Sequence, residues 1–195
     1  MKFFSLIRNL MAIIGVIAVI GSGVGYLRWQ QFLAQLDPEA PRILAEARAR
    51  YVEHLDPGLV MVKSVAVDDG LTPEDVVDSL KSLAIQHNML FVGESPFYQQ
   101  VEAVTGEPYR FVSFYSFCDA RVGAEMIDYH SAYAAFMPCS IALVEDQQGR
   151  LSLHMMELDA FIHGGKPLPE SVRSGAMRVR DTLNQIMLGA AQGDF

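Results

Sequence analysis

Two cysteines are the residues of this sequence whose type and spacing could do chemistry. Cys118 ends an aromatic, strand-like run and Cys139 opens a hydrophobic one. If the two predicted strands pair antiparallel, both sulfurs lie at the same end of one sheet. Three interpretations are open: a structural disulfide or two buried thiols, a redox or sulfur-handling thiol pair, and a ligand or metal site.

His130 and Met137 lie between the two cysteines in the chain and could add soft ligands for copper or a haem iron. The sequence lacks the C-x-x-C, C-x-x-C-H and H-x-x-x-H spacings that are typical of metal and haem sites. We therefore predict no cofactor and no metal, with copper or haem as the alternative. His130 and Met137 stay candidates for lining a ligand site.

Motifs of the common enzyme classes are absent from the sequence. It contains no G-x-S-x-G, no phosphate-binding loop and no G-x-G-x-x-G after a strand. The aromatic run at residues 109–117 could line a cavity for a hydrophobic ligand, or it could supply ordinary core aromatics. We expect a binding or accessory domain and not an enzyme; the alternative is a thiol redox protein that uses Cys118 and Cys139.

The charge of the chain argues against a nucleic-acid partner. Its 195 residues carry a formal charge of −8, with 51% hydrophobic and 19% charged residues. Up to Asp56 there are 6 basic and 5 acidic residues, which leaves 9 basic and 18 acidic residues beyond it. An acidic domain does not neutralise phosphates, and anionic headgroups repel it, so we expect it to stand off the membrane surface.

The apolar excess lies near the N-terminus, where residues 10–27 carry no charge. Eighteen helical residues span about 27 Å, close to the thickness of a hydrocarbon core. We predict a single-pass anchor in the inner membrane, with a cleaved signal peptide as the alternative. Lys2 and Arg8 place the N-terminus in the cytoplasm and the following domain outside, in the periplasm of a Gram-negative cell.

Small residues recur on adjoining faces of the predicted anchor. Gly21 and Gly25 form one small-xxx-small pair, and Ala18 and Ser22 form another. Such pairs let a second membrane helix approach closely. The sequence thus predicts, besides the lipid bilayer, a contact with another membrane protein or a second copy of the chain, as in an accessory subunit of a larger complex.

The chain divides into a tail and anchor (1–30), a helical stalk (31–57), a domain (58–190) and a frayed tail (191–195). In the stalk, Asp37 is the expected N-cap of a helix that ends near His54. In the domain, apolar alternation predicts strands at 59–67, 89–92, 109–117, 139–145 and 150–157. Helices are expected after the Thr72 capping box, at 119–135 and at 169–187. This order favours an α+β domain with two layers, helices on one face of an antiparallel sheet.

The sequence around the cysteines resembles a known family. The run Ser116-Phe117-Cys118-Asp119, the segment 134–145 with its Met137-Pro138-Cys139, and the amphipathic last helix are similar to the family called domain of unknown function 302. The likeness covers about residues 58–190, although Asp119-Ala120 stands where the family has an Asn-Pro-like pair. The resemblance implies a β-α-β(4)-α fold, layered like the TATA-binding-protein-like group and often dimeric. It implies no reaction, since none is established for the family.

Overall fold

The N-terminal segment is one continuous helix. The structure is a computed structural model that describes residues 2–195, with side chains described at residue 4 and from residue 9 onward. Helix α1 (Lys2–Leu33) contains the stretch Asn9–Leu33, which is long and apolar enough to cross a membrane and is not buried against the rest of the chain. The side chains of Lys2 and Arg8, on which the predicted orientation depends, lie outside the described residues.

Two helices connect α1 to the domain: α2 (Ala40–His54) and α3 (Pro57–Val60). The sequence predicts Asp37 as the N-cap of α2, but the N-cap is Glu39 and the helix begins at Ala40. The reason is that the Asp37 carboxylate accepts the N–H of Glu39 at 2.9 Å and closes a turn ahead of the helix. The predicted end near His54 is confirmed.

Five strands form one antiparallel sheet in the order β1-β5-β4-β3-β2. They are β1 (Val62–Ala66), β2 (Leu90–Ser95), β3 (Val112–Cys118), β4 (Cys139–Glu145) and β5 (Leu151–Met156). The predicted β4–β5 hairpin is confirmed, and Gly149 supplies the positive φ of +78° that its turn requires. All neighbouring pairs are antiparallel, which confirms the predicted sheet.

Two helices cover one face of this sheet, α4 (Pro73–Gln86) and α8 (Glu170–Gln192). The predicted capping box starts α4: the Thr72 hydroxyl accepts the N–H of Asp75, and the Asp75 carboxylate accepts the N–H of Thr72. The core lies between these helices and the sheet, and its fully buried side chains include Leu80, Tyr115, Phe117, Ile141, Leu143, Leu153, Leu183 and Ile186. The two-layer α+β architecture is therefore confirmed.

Short helices surround the strand ends at which the cysteines lie. They are α6 (Ala120–Tyr129), a 3₁₀ helix (Ser131–Phe136) and α7 (Asp159–His163). Helix α5 (Phe97–Thr105) follows β2 at the other end of the sheet. The single helix predicted over 119–135 is wrong, because the chain becomes extended at His130 and continues as the 3₁₀ helix. The sequence did not predict α7.

The C-terminal helix is longer than expected. It runs to Gln192, and Ala190 and Ala191 are buried in the core beside α4. The Ser79 hydroxyl donates a hydrogen bond to the carbonyl of Asp194. The first residues of the tail that was predicted to fray, 191 and 192, thus belong to the helix. Small side chains let this last turn of α8 approach α4 closely.

Candidate functional site

The two cysteines lie on adjacent strands at the same end of the sheet. Cys118 is the last residue of β3 and Cys139 is the first of β4, and Cys139 pairs directly with Phe117. The cysteines are therefore offset by one residue. Since successive side chains of a strand point to opposite faces, this offset directs their Cβ atoms apart, and both thiols are free. The geometry disfavours a disulfide between them.

Both thiols nevertheless line one cavity beyond the strand ends, which we call the inner cavity. Its volume is about 80 Å³, several times the roughly 10–15 Å³ that one water requires on the same measure. The wall comes from β3, β4, β5, α6, the 3₁₀ helix, α7 and α8. Its apolar members include Val122, Tyr133, Phe136, Leu158, Phe161, Ile162, Ala176 and Val179.

Sulfur is the most distinctive feature of the inner cavity. Five of its sixteen wall residues carry it: Cys118, Met126, Met137, Cys139 and Met156. Gly123 of α6 borders two of them, since a Cβ there would make ordinary van der Waals contacts with the Met137 Sδ at 3.5 Å and the Cys118 Sγ at 3.8 Å. Methionine is flexible and polarisable, so this wall adapts to the shape of an apolar guest.

Burial keeps both thiols protonated at neutral pH. It raises the pKa of Cys139 from 9.0 to about 11, and the proximity of Cys118 adds to the effect. The pKa of Cys118 is raised as well, by burial first and by Asp119 second. Because the thiolate is the nucleophile, neither cysteine is activated for thiol exchange.

The described wall of the inner cavity carries one carboxylate and no lysine, arginine or histidine. The Asp119 Oδ1 accepts the N–H groups of Arg121 at 3.0 Å and Val122 at 3.1 Å and caps α6. The rest of the wall is mostly apolar, so the inner cavity can hold an apolar group.

A second, outer cavity of about 290 Å³ adjoins the first. The two share five wall residues, Phe136, Met137, Cys139, Met156 and Leu158. The outer cavity adds the Ser140 hydroxyl, which donates to or accepts from the Ser116 hydroxyl at 3.1 Å. A ligand that entered both would place its apolar end in the inner cavity and a hydroxyl-compatible end in the outer one.

The remaining predicted site residues separate into two groups. Met137 lines both cavities, whereas His130 is exposed and lies outside their walls. The His130 Nδ1 accepts the N–H of Ala132 at 3.2 Å and caps the 3₁₀ helix. Within residues 2–195, no cluster of three histidines, cysteines or carboxylates that could hold a metal is found among the described side chains. The prediction of no cofactor stays a prediction.

The small residues of the anchor lie exposed on α1. Ala18, Gly21, Ser22 and Gly25 are all solvent-accessible, and a Cβ built at Gly21 or Gly25 meets no atom within 4 Å. This surface is open to close approach by another helix. The predicted contact in the membrane stays a prediction.

Sequence reasoning missed a buried contact between Asp37 and His163 that joins the stalk to the domain. Asp37 is 1% exposed, and its Oδ1 lies 3.2 Å from the Nδ1 of His163 at the end of α7. The Asp37 N–H also donates to the carbonyl of Gly165 at 2.8 Å. The one signal in the sequence was Asp37 before Pro38, which we interpreted as the N-cap of a helix.

Comparisons with known proteins agree with this architecture. Residues 63–188 match the model of the family described as "Domain of unknown function DUF302". The crystal structure of the uncharacterized conserved protein DUF302 from Bacillus stearothermophilus is similar in fold, with a TM-score of 0.54 and 10% identity. The similarity covers 65% of this chain and 95% of that chain. No curated protein matches the sequence.

Proposed function

The chain belongs to the DUF302 family, and we propose that it is a membrane-anchored domain that binds a small apolar molecule in the inner cavity. One observation carries the proposal: a sulfur-rich, apolar cavity lies between the strand ends and three short helices, with its thiols protonated. Apolar pockets with few polar groups are the usual sites of hydrophobic ligands. The mostly apolar wall and the two thiols with raised pKa values support binding as the function.

The thiol-exchange alternative has less support. A reactive thiol pair needs at least one sulfur with a lowered pKa and a partner within bonding geometry. Here both pKa values are raised and the one-residue offset separates the Cβ directions. The cysteines therefore serve the proposed site as soft wall residues.

We place the domain on the outer face of the inner membrane. The single apolar helix α1 supports an anchor, and the two basic residues before its uncharged stretch support a cytoplasmic N-terminus. The excess of acidic residues beyond Asp56 disfavours adhesion of the domain to anionic lipid, so we propose that the stalk, and not surface charge, holds the domain close to the membrane.

We further propose that α1 contacts a partner helix through its small residues, which would make the chain an accessory subunit. Gly21→Leu with Gly25→Leu would block close approach. Affinity purification of the full chain from native membranes should then lose the membrane protein that accompanies the unchanged chain. Equal recovery of that protein with both sequences would contradict this part of the proposal.

The binding proposal is tested on the full chain purified from membranes, with its methionine methyl groups labelled with carbon-13. Solvent extraction and mass spectrometry should release about one apolar molecule per chain. If the cavity is empty, xenon under pressure should instead shift the methyl signals of Met126, Met137 and Met156, because xenon enters dry apolar cavities.

A matched pair of variants on α6 ties either result to the cavity. Gly123→Leu extends a side chain toward Met137 and Cys118 and should abolish extraction and xenon shifts alike. Ala124→Leu adds a similar volume on the exposed side of the same helix and should change neither. A chain with no extractable molecule and no xenon response would overturn the proposal.

A further inference from the structure

We infer that the inner cavity takes its ligand from the bilayer beside it, and that the ligand is a lipid with an uncharged headgroup. This inference rests on the proposed binding function and adds to it the source and the chemical class of the ligand. It follows from three features of the described residues: where the stalk attaches, which side chains lead to the cavity, and which charges are missing from its walls.

The stalk attaches directly behind the cavity wall. Helix α2 packs against α7, and Asp37 contacts His163 and Gly165 at the end of α7. Two residues of the same short helix, Phe161 and Ile162, line the inner cavity. A single helix therefore separates the stalk from the ligand site.

The chain leaves little distance between the anchor and this point. Helix α1 ends at Leu33, four residues before Asp37. Four residues span at most about 14 Å even when fully extended. Because Asp37 is buried and hydrogen-bonded to the end of α7, the cavity wall is held near the membrane end of the domain.

A row of aromatic rings connects the protein surface to the cavity. Tyr129 and Phe136 are 44% and 41% exposed, respectively. Ring centroids are 6.1 Å apart from Tyr129 to Tyr133, 6.4 Å from Tyr133 to Phe136, and 4.6 Å from Phe136 to Phe161. These rings form a continuous series of aromatic contacts from the surface to the cavity wall that an apolar chain can follow inward, and tyrosine is suited to a membrane interface.

The missing charges define the headgroup. Among the described wall residues of both cavities there is no lysine, arginine or histidine that could pair with a phosphate. The one carboxylate, Asp119, caps α6 through its Oδ1, which accepts the N–H groups of Arg121 and Val122, so the positive end of that helix offsets its negative charge. The acidic domain also repels anionic lipid, so an uncharged lipid is the class that fits.

The experiment uses the full chain in phosphatidylcholine discs that contain a diacylglycerol with a diazirine in one acyl chain. Ultraviolet light should attach this probe to the wall peptides that carry Met126 or Phe161, as read by peptide mass spectrometry. Phosphatidic acid that carries the same acyl chain is anionic, and it should label these peptides at least about fivefold less. Gly123→Leu should remove the labelling and Ala124→Leu should keep it.

A spacer variant and a second probe separate the source of the ligand from binding itself. Inserting about 20 Gly/Ser residues between Ala34 and Gln35 releases the domain from the surface and should lower labelling by diacylglycerol at least about threefold. A water-soluble six-carbon alcohol that carries a diazirine reaches the cavity from solution. It should label the spacer variant and the native chain equally.

Each contrary result has a distinct meaning. Labelling by the alcohol without labelling by diacylglycerol, or a spacer variant labelled by diacylglycerol as strongly as the native chain, overturns the bilayer as the source. Equal labelling by phosphatidic acid overturns the uncharged headgroup. No labelling of the cavity by either probe overturns the inference and the proposed binding function together.

Discussion

The thiol of Cys139 should alkylate far more slowly in the folded chain than in the unfolded one. Burial raises its pKa from 9.0 to about 11. At pH 8 a thiol with a pKa of 9 is about 10% thiolate, and one with a pKa of 11 is about 0.1% thiolate. Since the thiolate is the nucleophile, we expect a folded rate about 100-fold below that of the unfolded chain.

The assay is iodoacetamide alkylation of the full chain between pH 7 and 10, with peptide mass spectrometry to resolve Cys139 from Cys118. The unfolded rate, measured in guanidinium, should level off near pH 9, whereas the folded rate should keep rising about tenfold per pH unit up to pH 10. Restricted access alone would lower the folded rate by the same factor at every pH. A folded rate that levels off near pH 9, or that equals the unfolded rate, would refute the reasoning.

Two further predictions concern the supports of the site. Thr72→Ala removes the hydroxyl of the capping box and should lower the free energy of urea unfolding by about 1 kcal/mol, with Thr72→Ser close to the native value; equal stability of Thr72→Ala would contradict this. Asp37→Ala leaves His163 buried without its partner and should lower that free energy by about 1–3 kcal/mol. Asp37→Ala should also speed proteolysis of the segment before α2. An unchanged cleavage rate would show that the contact between Asp37 and His163 does not hold the stalk.

Local signals in the sequence predicted much of the sheet and the start of α4. These signals depend only on neighbouring residues, so the sequence displays them directly: the capping box at Thr72, the turn at Gly149, and the alternation along β4 and β5. The alternation along β5 places His154 on the face opposite Leu153 and Met155. In the structure its two ring nitrogens lie 2.8 Å from the hydroxyls of Ser64 and Ser152, on the face without helices.

Elements whose bounds depend on tertiary contacts were mispredicted. The amphipathic pattern over 119–135 continues through His130, but the chain turns there so that Tyr133 and Phe136 can close the cavity. The five residues of α7 are too few to show a helical period, and α7 is held by α2 and α8. Burial against α4 likewise extends α8 beyond the point where the sequence pattern weakens.

The candidate site shows the same division between local and long-range information. Antiparallel pairing of two sequence-predicted strands is enough to bring Cys118 and Cys139 to one end of the sheet. The cavity between them and α6 is different, because its walls come from elements that are distant in the sequence. Gly123 of α6 borders this cavity, and a Cβ there would make ordinary van der Waals contacts with the Met137 Sδ at 3.5 Å and the Cys118 Sγ at 3.8 Å. A side chain longer than that of alanine has to enter the space between these sulfurs, which is why Gly123→Leu is the most direct single substitution against the proposed function.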